Sequence, residues 1–230
     1  MKQWSILYAL KFILAFCSIV YELVLAQALS AFLENTVLRY SVTIGLYIFS
    51  MGLGALISEG RMLKHPVIVL LRIEILLTLI GGGAIILLHS VDLLHLSRLI
   101  FSVLAHILII LIGILTGFEL PLLMELRNRE KENSENLMLA FDYAGAFTGT
   151  IIFAFIFYPK VGLIPTAFIV GFMNAVAGLL LFTQRQKVLE TMQKSYYVSL
   201  SLQALLLIMI VICLFHVDRI NNYFLILYMN

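Results

Sequence analysis

The stretch Ile6-LYALKFILAFCSIVYELVLAQALSAF-Leu33 decides the fold class. It is apolar over its whole length except for two charges, Lys11 and Glu22. A helix needs roughly 20 apolar residues to cross the hydrocarbon core of a bilayer, and this run exceeds that. Its apolar residues are continuous rather than alternating, which fits a helix and not a barrel strand. Six further runs follow at about Tyr40–Ile57, Pro66–Leu88, Leu99–Leu123, Leu137–Tyr158, Val161–Phe182 and Tyr197–Phe215. With 62% hydrophobic and 12% charged residues and a mean hydropathy of +1.06, the chain lies outside the range of an ordinary soluble domain. The expectation is an all-α, polytopic transmembrane bundle of about seven helices with a transporter-like layout. Residues 1–219 form its single domain, and 220–230 a short apolar tail.

Lys and Arg set the orientation. One set of loop ends holds nine: Lys2, Arg61, Lys64, Arg127, Arg129, Lys131, Arg185, Lys187 and Lys194. The other holds four: Arg39, Arg98, Lys160 and Arg219. The imbalance predicts a cytoplasmic N-terminus in a cell (inner) membrane, and an external C-terminus after seven spans. Lys2 and Ala26-Gln27-Ala28 give the first run the outline of a signal peptide. Lys11 and Glu22 interrupt the apolar region and the run is too long, so a retained first span is expected. A net charge of +2 and no basic stripe point away from nucleic acid. Cys17 and Cys213 both fall inside spans and supply neither a disulfide framework nor thiol–metal spacing.

Two polar segments interrupt the apolar pattern. Glu125-LRNREKENSE-Asn136 reads as a solvated hairpin. Thr183-QRQKVLETMQKS-Tyr196 places Val188, Leu189 and Met192 on one side, as an amphipathic surface helix would. Small residues mark where helices approach: Gly113-ILT-Gly117, Gly145-AFT-Gly149 and, more loosely, Gly171-FMN-Ala175. Ser41, Gly45, Gly52 and Ala55 share a face leading to Glu59. Tyr21-Glu22-Leu23 is echoed by Phe118-Glu119-Leu120, and Asn35-TVLRY by Asn136-LMLAF. An offset of three helices reverses topology, the pattern of an inverted repeat.

Acidic residues at bilayer depth are the first candidates for function. Lys11, Ser18 and Glu22 lie on one stripe of the first helix, but eleven residues at about 1.5 Å each hold Lys11 and Glu22 roughly 16 Å apart. Glu22 therefore needs another partner, for which Tyr21, Gln27 and Asn174 are available. Glu59, Glu119 and Asp142 collect toward the cytoplasmic end, with Arg72 and Glu74 in reach. Two arrangements fit them: an internal ion-pair belt, or a site for a multivalent organic cation with Tyr143 and Phe118 beside the acids. Asp142 near a helix start is favourable from the dipole and capping alone. His89, Asp92 and His95 form H-x-x-D-x-x-H in a loop read as solvated, without a fourth metal ligand. His106 reads as a satisfied buried imidazole. No nucleophile motif, phosphate loop or dinucleotide fingerprint is present, so no catalytic residue, metal or cofactor is expected.

Tyr21-ELVLAQALS, Asn35-TVLRYSVTIGLYIFSMGLGA, Gly117-FELPLL, and Leu139-AFDYAGAFTGT ahead of Tyr158-PKVGL resemble the membrane domain of spermidine synthase-like (polyamine aminopropyltransferase-like) proteins. The resemblance spans most of residues 15–182. In that family a helical membrane half precedes a soluble aminopropyltransferase half, which has no counterpart in these 230 residues. It implies that aminopropyl transfer from decarboxylated S-adenosylmethionine is not expected from this polypeptide by itself. Two functions follow. The first is binding or translocation of polyamines or related organic cations, with Glu22, Glu119, Asp142, Tyr21 and Tyr143 as substrate contacts. The second is a membrane platform recruiting a separately encoded synthase or other subunit through 125–136 and 183–196. Intrinsic membrane enzymology ranks below both.

Overall fold

The computed structural model describes residues 3–58, 61–128 and 135–229. Among these every regular element is a helix: α1 (Gln3–Leu33), α2 (Thr36–Ile57), the single turn α3 (Arg61–Lys64), α4 (Pro66–Asp92), α5 (Arg98–Asn128), α6 (Glu135–Ile152), α7 (Leu163–Leu180), α8 (Gln193–Phe215) and α9 (Val217–Met229). Seven are long and apolar enough to cross a membrane, matching the seven runs. Glu59, expected to close the second span, lies outside the described residues, as do 129–134 of the polar hairpin.

Local chemistry explains the breaks. Glu34 and Asn35 both take left-handed backbone conformations, φ 60° and 55°, and the Asn35 side chain accepts from the Leu38 amide at 3.3 Å. Asn tolerates that geometry and caps a helix, so the chain reverses within two residues. Pro66 opens α4, where its missing N–H costs nothing. After α6 the backbone widens into a π-helix over Phe153–Val161, which contains Pro159. Gly162 ends it at φ 90°, its amide donating to the Phe157 carbonyl at 2.8 Å. A side chain there would be strained, and the glycine makes the turn into α7.

The amphipathic helix expected over 183–196 is not one helix. The chain tightens to 3-10 turns at Leu181–Lys187 and Glu190–Met192, with Val188 and Leu189 extended between them. Val188 and Met192 pack on the core while Leu189 is exposed, so the three do not share one face. The loop read around H-x-x-D-x-x-H also differs. His89 and Asp92 end α4, and both engage the C-terminal helix: the Tyr228 hydroxyl donates to Asp92 at 3.0 Å and lies 3.1 Å from His89 Nδ1. Phe224 packs on the His89 ring, so the apolar tail docks as a helix.

α1, α4 and α7 form the centre, and α2, α6 and α8 face outward. α2 packs along α5, α6 along α1, and α4 along α7. At the first of these, Gly113 meets Tyr47 and Ser50 while Gly117 meets Met51, so α2 and α5 run in the same direction. At the second, Gly145 meets Phe12 and Ala15 while Gly149 meets Phe16 and Ile19, again in one direction. Gly82 and Gly171 touch at the third, where a Cβ on Gly171 would stand 3.0 Å from the Gly82 Cα. The small-residue pairs thus work as internal seams, letting backbones close on each other where only packing rewards it. The outer faces stay apolar: Phe49, Phe147, Phe155 and Leu205 are each more than 60% exposed.

Candidate functional site

Four helices bring charge together. Lys11 and Ser18 come from α1, Ile48, Met51, Gly52 and Ala55 from α2, Thr116, Gly117, Glu119 and Leu120 from α5, and Asp142 from α6. Between them opens a cavity of about 280 Å³. Gly52 and Ala55 line it with little bulk, and Gly117 lets α5 close on the Met51 backbone beside it. Pro121 has no amide hydrogen, so the Gly117 carbonyl lacks its usual intrahelical donor beside the cavity.

Lys11 Nζ and Asp142 Oδ1 form an ion pair at 2.6 Å, the lysine side chain 4% and the aspartate 23% exposed. Glu119 lines the same cavity, is 1% exposed, and its Oε1 has no hydrogen-bond partner. It lies within electrostatic reach of both Lys11 and Asp142. Around this core the hydroxyls are spoken for. Tyr47 donates to the Ser18 carbonyl at 3.0 Å, and Thr116 to the carbonyls of Ile112 and Gly113 at 3.1 and 3.0 Å. The cavity therefore offers one ammonium, two carboxyl groups and an unpartnered carboxyl oxygen, an arrangement suited to a second cation beside Lys11.

A larger cavity of about 540 Å³ lies at the opposite end, lined by Gly162, Asn221, Asn222, Tyr228 and neighbours. The smaller one is the better candidate despite its size, because of the two it alone combines a buried ion pair with a buried unpartnered carboxyl oxygen. No group of three His, Cys, Asp or Glu is arranged to hold a metal ion among the described residues.

The predicted residues separate. Glu119 and Asp142 meet at the cavity. Glu22 is buried on the same stripe of α1, one turn past Ser18 and outside the lining. The partners weighed for it are engaged elsewhere. Tyr21 donates to the Leu77 carbonyl at 3.4 Å, Gln27 donates to Tyr158 at 2.8 Å and accepts from Tyr40, and Asn174 binds Glu74. Tyr21 is buried with its ring against Gly81, away from the cavity. Tyr143, next to Asp142 in sequence, is 69% exposed on the outer face of α6. The partner of Asp142 was not foreseen, although Lys11 and Asp142 were both singled out. Its signal was the lone lysine of α1, too far from Glu22 to pair with it and so in need of an acid from another helix.

The sequence is similar to several characterised proteins. A polyamine aminopropyltransferase of Leptospira interrogans is 36% identical over 178 residues, covering 75% of this chain and 34% of that protein. Polyamine aminopropyltransferase 1 of Streptomyces coelicolor is 35% identical over 175 residues, covering 74% and 32%. A polyamine aminopropyltransferase of Oceanobacillus iheyensis is 32% identical over 182 residues, covering 78% and 35%. The chain is related to polyamine aminopropyltransferases. The matched residues span about a third of the length of these relatives. No family model matches the sequence, and no solved structure does.

These relatives overturn the reading of the chain as a polyamine carrier and the transporter-like label, and they give the recruiting platform no better support. Each related protein is named for a group-transfer enzyme, and none for transport or recruitment. The carboxylates that suggested a carried cation are equally suited to an enzyme's amine substrate, so their presence cannot favour transport.

Proposed function

We propose that this chain is the helical, bilayer-spanning part of a polyamine aminopropyltransferase-type enzyme. Its acidic cavity receives a protonated amine end of the polyamine on which that enzyme acts. The single observation that carries the reading is the 36% identity over 178 residues to a polyamine aminopropyltransferase. Glu119 is the primary counter-ion, with its free Oε1 as acceptor, and Asp142 shares the charge from its pair with Lys11. Glu22 and Tyr21 support the neighbouring stretch of α1, and Tyr143 flanks Asp142 from outside.

Seven apolar helices and a ring of exposed Phe and Leu support placement in a bilayer, where such faces are solvated by lipid. The excess of Lys and Arg at one set of ends favours a cytoplasmic N-terminus in the inner membrane. The packing of α2 on α5, matched by α6 on α1 about the α4–α7 contact, supports two three-helix units of opposite direction.

Deleting the gene and restoring it tests the reading, with cellular polyamines separated by chromatography. Loss of an aminopropylated polyamine, restored by wild type but not by Glu119→Gln plus Asp142→Asn at equal protein level, is expected. Pools that ignore both deletion and restoration overturn the enzymatic reading. Restoration by the double variant overturns the site alone. Release of the protein from membranes by alkaline carbonate overturns the bilayer placement.

A further inference from the structure

A second polar cluster lies where α4, α7 and α8 meet, away from the cavity lining. Glu74 and Thr78 of α4, Asn174 of α7 and Gln203 of α8 are all at most 1% exposed. Asn174 Nδ2 donates to Glu74 Oε2 at 2.6 Å and to the Glu74 carbonyl at 3.5 Å. Gln203 Nε2 donates to Thr78 Oγ1 at 3.1 Å and to the Ala175 carbonyl at 3.3 Å. Both amide orientations are fixed, because a flip would turn an oxygen onto the carboxyl group or onto a carbonyl. The packing is tight: a Cβ on Gly178 would stand 2.7 Å from Gln203 Nε2 and 3.1 Å from Glu74 Cβ.

With both amide nitrogens fully used, three acceptors remain without a partner: Glu74 Oε1, Asn174 Oδ1 and Gln203 Oε1. The cluster's own remaining donor is the Thr78 hydroxyl. Three acceptors against one hydrogen do not close, and an unpaired buried polar atom is costly. The Thr78 hydroxyl bonds none of the three, and one added proton on Glu74 narrows the deficit by turning one acceptor into a donor. Among the described residues, neighbouring elements do not supply the missing donor. On α1, Cys17 is directed to the Val170 carbonyl, Tyr21 to the Leu77 carbonyl, and Lys11 to Asp142. From α5 the titratable group in reach is another acid, Glu119. From α7 and α8 the cluster receives only the neutral amides of Asn174 and Gln203.

We infer that Glu74 is a proton-binding site, holding the neutral carboxylic acid as the donor that locks α4, α7 and α8 together. Infrared difference spectra of the detergent-purified full protein, wild type against Glu74→Gln, test this directly. A protonated-acid carbonyl band present in wild type and absent from the variant is expected. Thermal midpoints supply the second measurement. Glu74→Gln, whose amide offers a donor at the same place, retains wild-type stability, whereas Glu74→Leu loses several degrees. Absence of the acid band in folded wild type overturns the inference. So does a sodium-dependent midpoint, set against choline, that Glu74→Gln abolishes, because the balancing charge is then a metal cation.

Discussion

Replacing Lys11 with Met removes the ammonium from the cavity while keeping most of the stem's volume. Asp142 then loses its 2.6 Å partner and faces Glu119 across the same space. Breaking a fully buried pair costs about 3–5 kcal/mol, because the surviving charge is left uncompensated. Asp142 is 23% exposed and can recover some hydration, so the low end, about 3 kcal/mol, is expected. For a protein of this size that is a fall in midpoint of roughly 6–12 °C. Asp142→Asn should cost less: the stranded Lys11 is 4% exposed, but Glu119 is at hand to replace the lost acid. The asymmetry is the diagnostic. Thermal unfolding of both single variants and the double variant in one detergent, arranged as a mutant cycle, measures it. Equal losses in the two singles would refute the role assigned to Glu119, and a Lys11→Met loss below about 1 kcal/mol would class the pair with exposed ion pairs.

Three other outcomes are expected. Gly54→Ala drives a methyl into the Ile114 carbonyl, with the Gly117 Cα only 3.1 Å away, whereas a Cβ on Gly52 meets nothing within 4 Å. The first should destabilise by about 1–3 kcal/mol, and the second be neutral or stabilising by up to about 1 kcal/mol, as read by paired thermal scans. Gly162→Ala places a side chain at φ 90° and should cost about 1–2 kcal/mol, measured the same way. Burial, then the bond to and charge of Asp92, hold the Tyr228 phenol above its ordinary range. Its protonated form is therefore favoured in the docked state. That contribution is fully present below the ordinary tyrosine range and is lost as pH rises through the shifted value. Exchange protection across Val217–Met229, taken relative to the intrinsic amide rate at each pH, should hold through neutral pH and fall at strongly alkaline pH, and Tyr228→Phe should abolish that fall.

The helices were legible because lipid-length apolar runs leave little choice of structure, and all seven recur within a few residues of their expected ends. The seams were legible for a related reason: paired glycines in apolar helices mark close approach, and Gly113, Gly117, Gly145 and Gly149 all sit at one. The 183–196 segment was not, because its apolar residues are too few for a helical spacing to outweigh local 3-10 turns. Side-chain pairing was legible only in part. The predicted topology gave Glu119 and Asp142 a common end, but which helix lies beside which is set by packing, and that chose Lys11 for Asp142 and Asn174 for Glu74. Tyr143 shows the limit from the other side, since adjacency to Asp142 along a helix turns its side chain some 100° away, onto the exterior.

The distribution of charge constrains what the bundle can do. Within its buried spans stand Glu22, Glu74, Glu119 and Asp142, and from the same stripe of α1 comes Lys11, committed to one of them. A low-dielectric interior does not tolerate a surplus of bare carboxylates, so the others must share positive charge from outside the chain. The two least satisfied of them are placed differently. Glu74 is 0% exposed and packed against neutral amides. Glu119 opens on a cavity of about 280 Å³ that already accommodates an ammonium group. On the two proposals above, the same deficit would be met by a proton where the packing is closed and by a ligand amine where it is open. The difference between them is steric, so filling the cavity should convert the second case into the first. Gly52→Leu, at a lining position where a Cβ meets no atom within 4 Å, should abolish amine recognition while leaving the bundle folded.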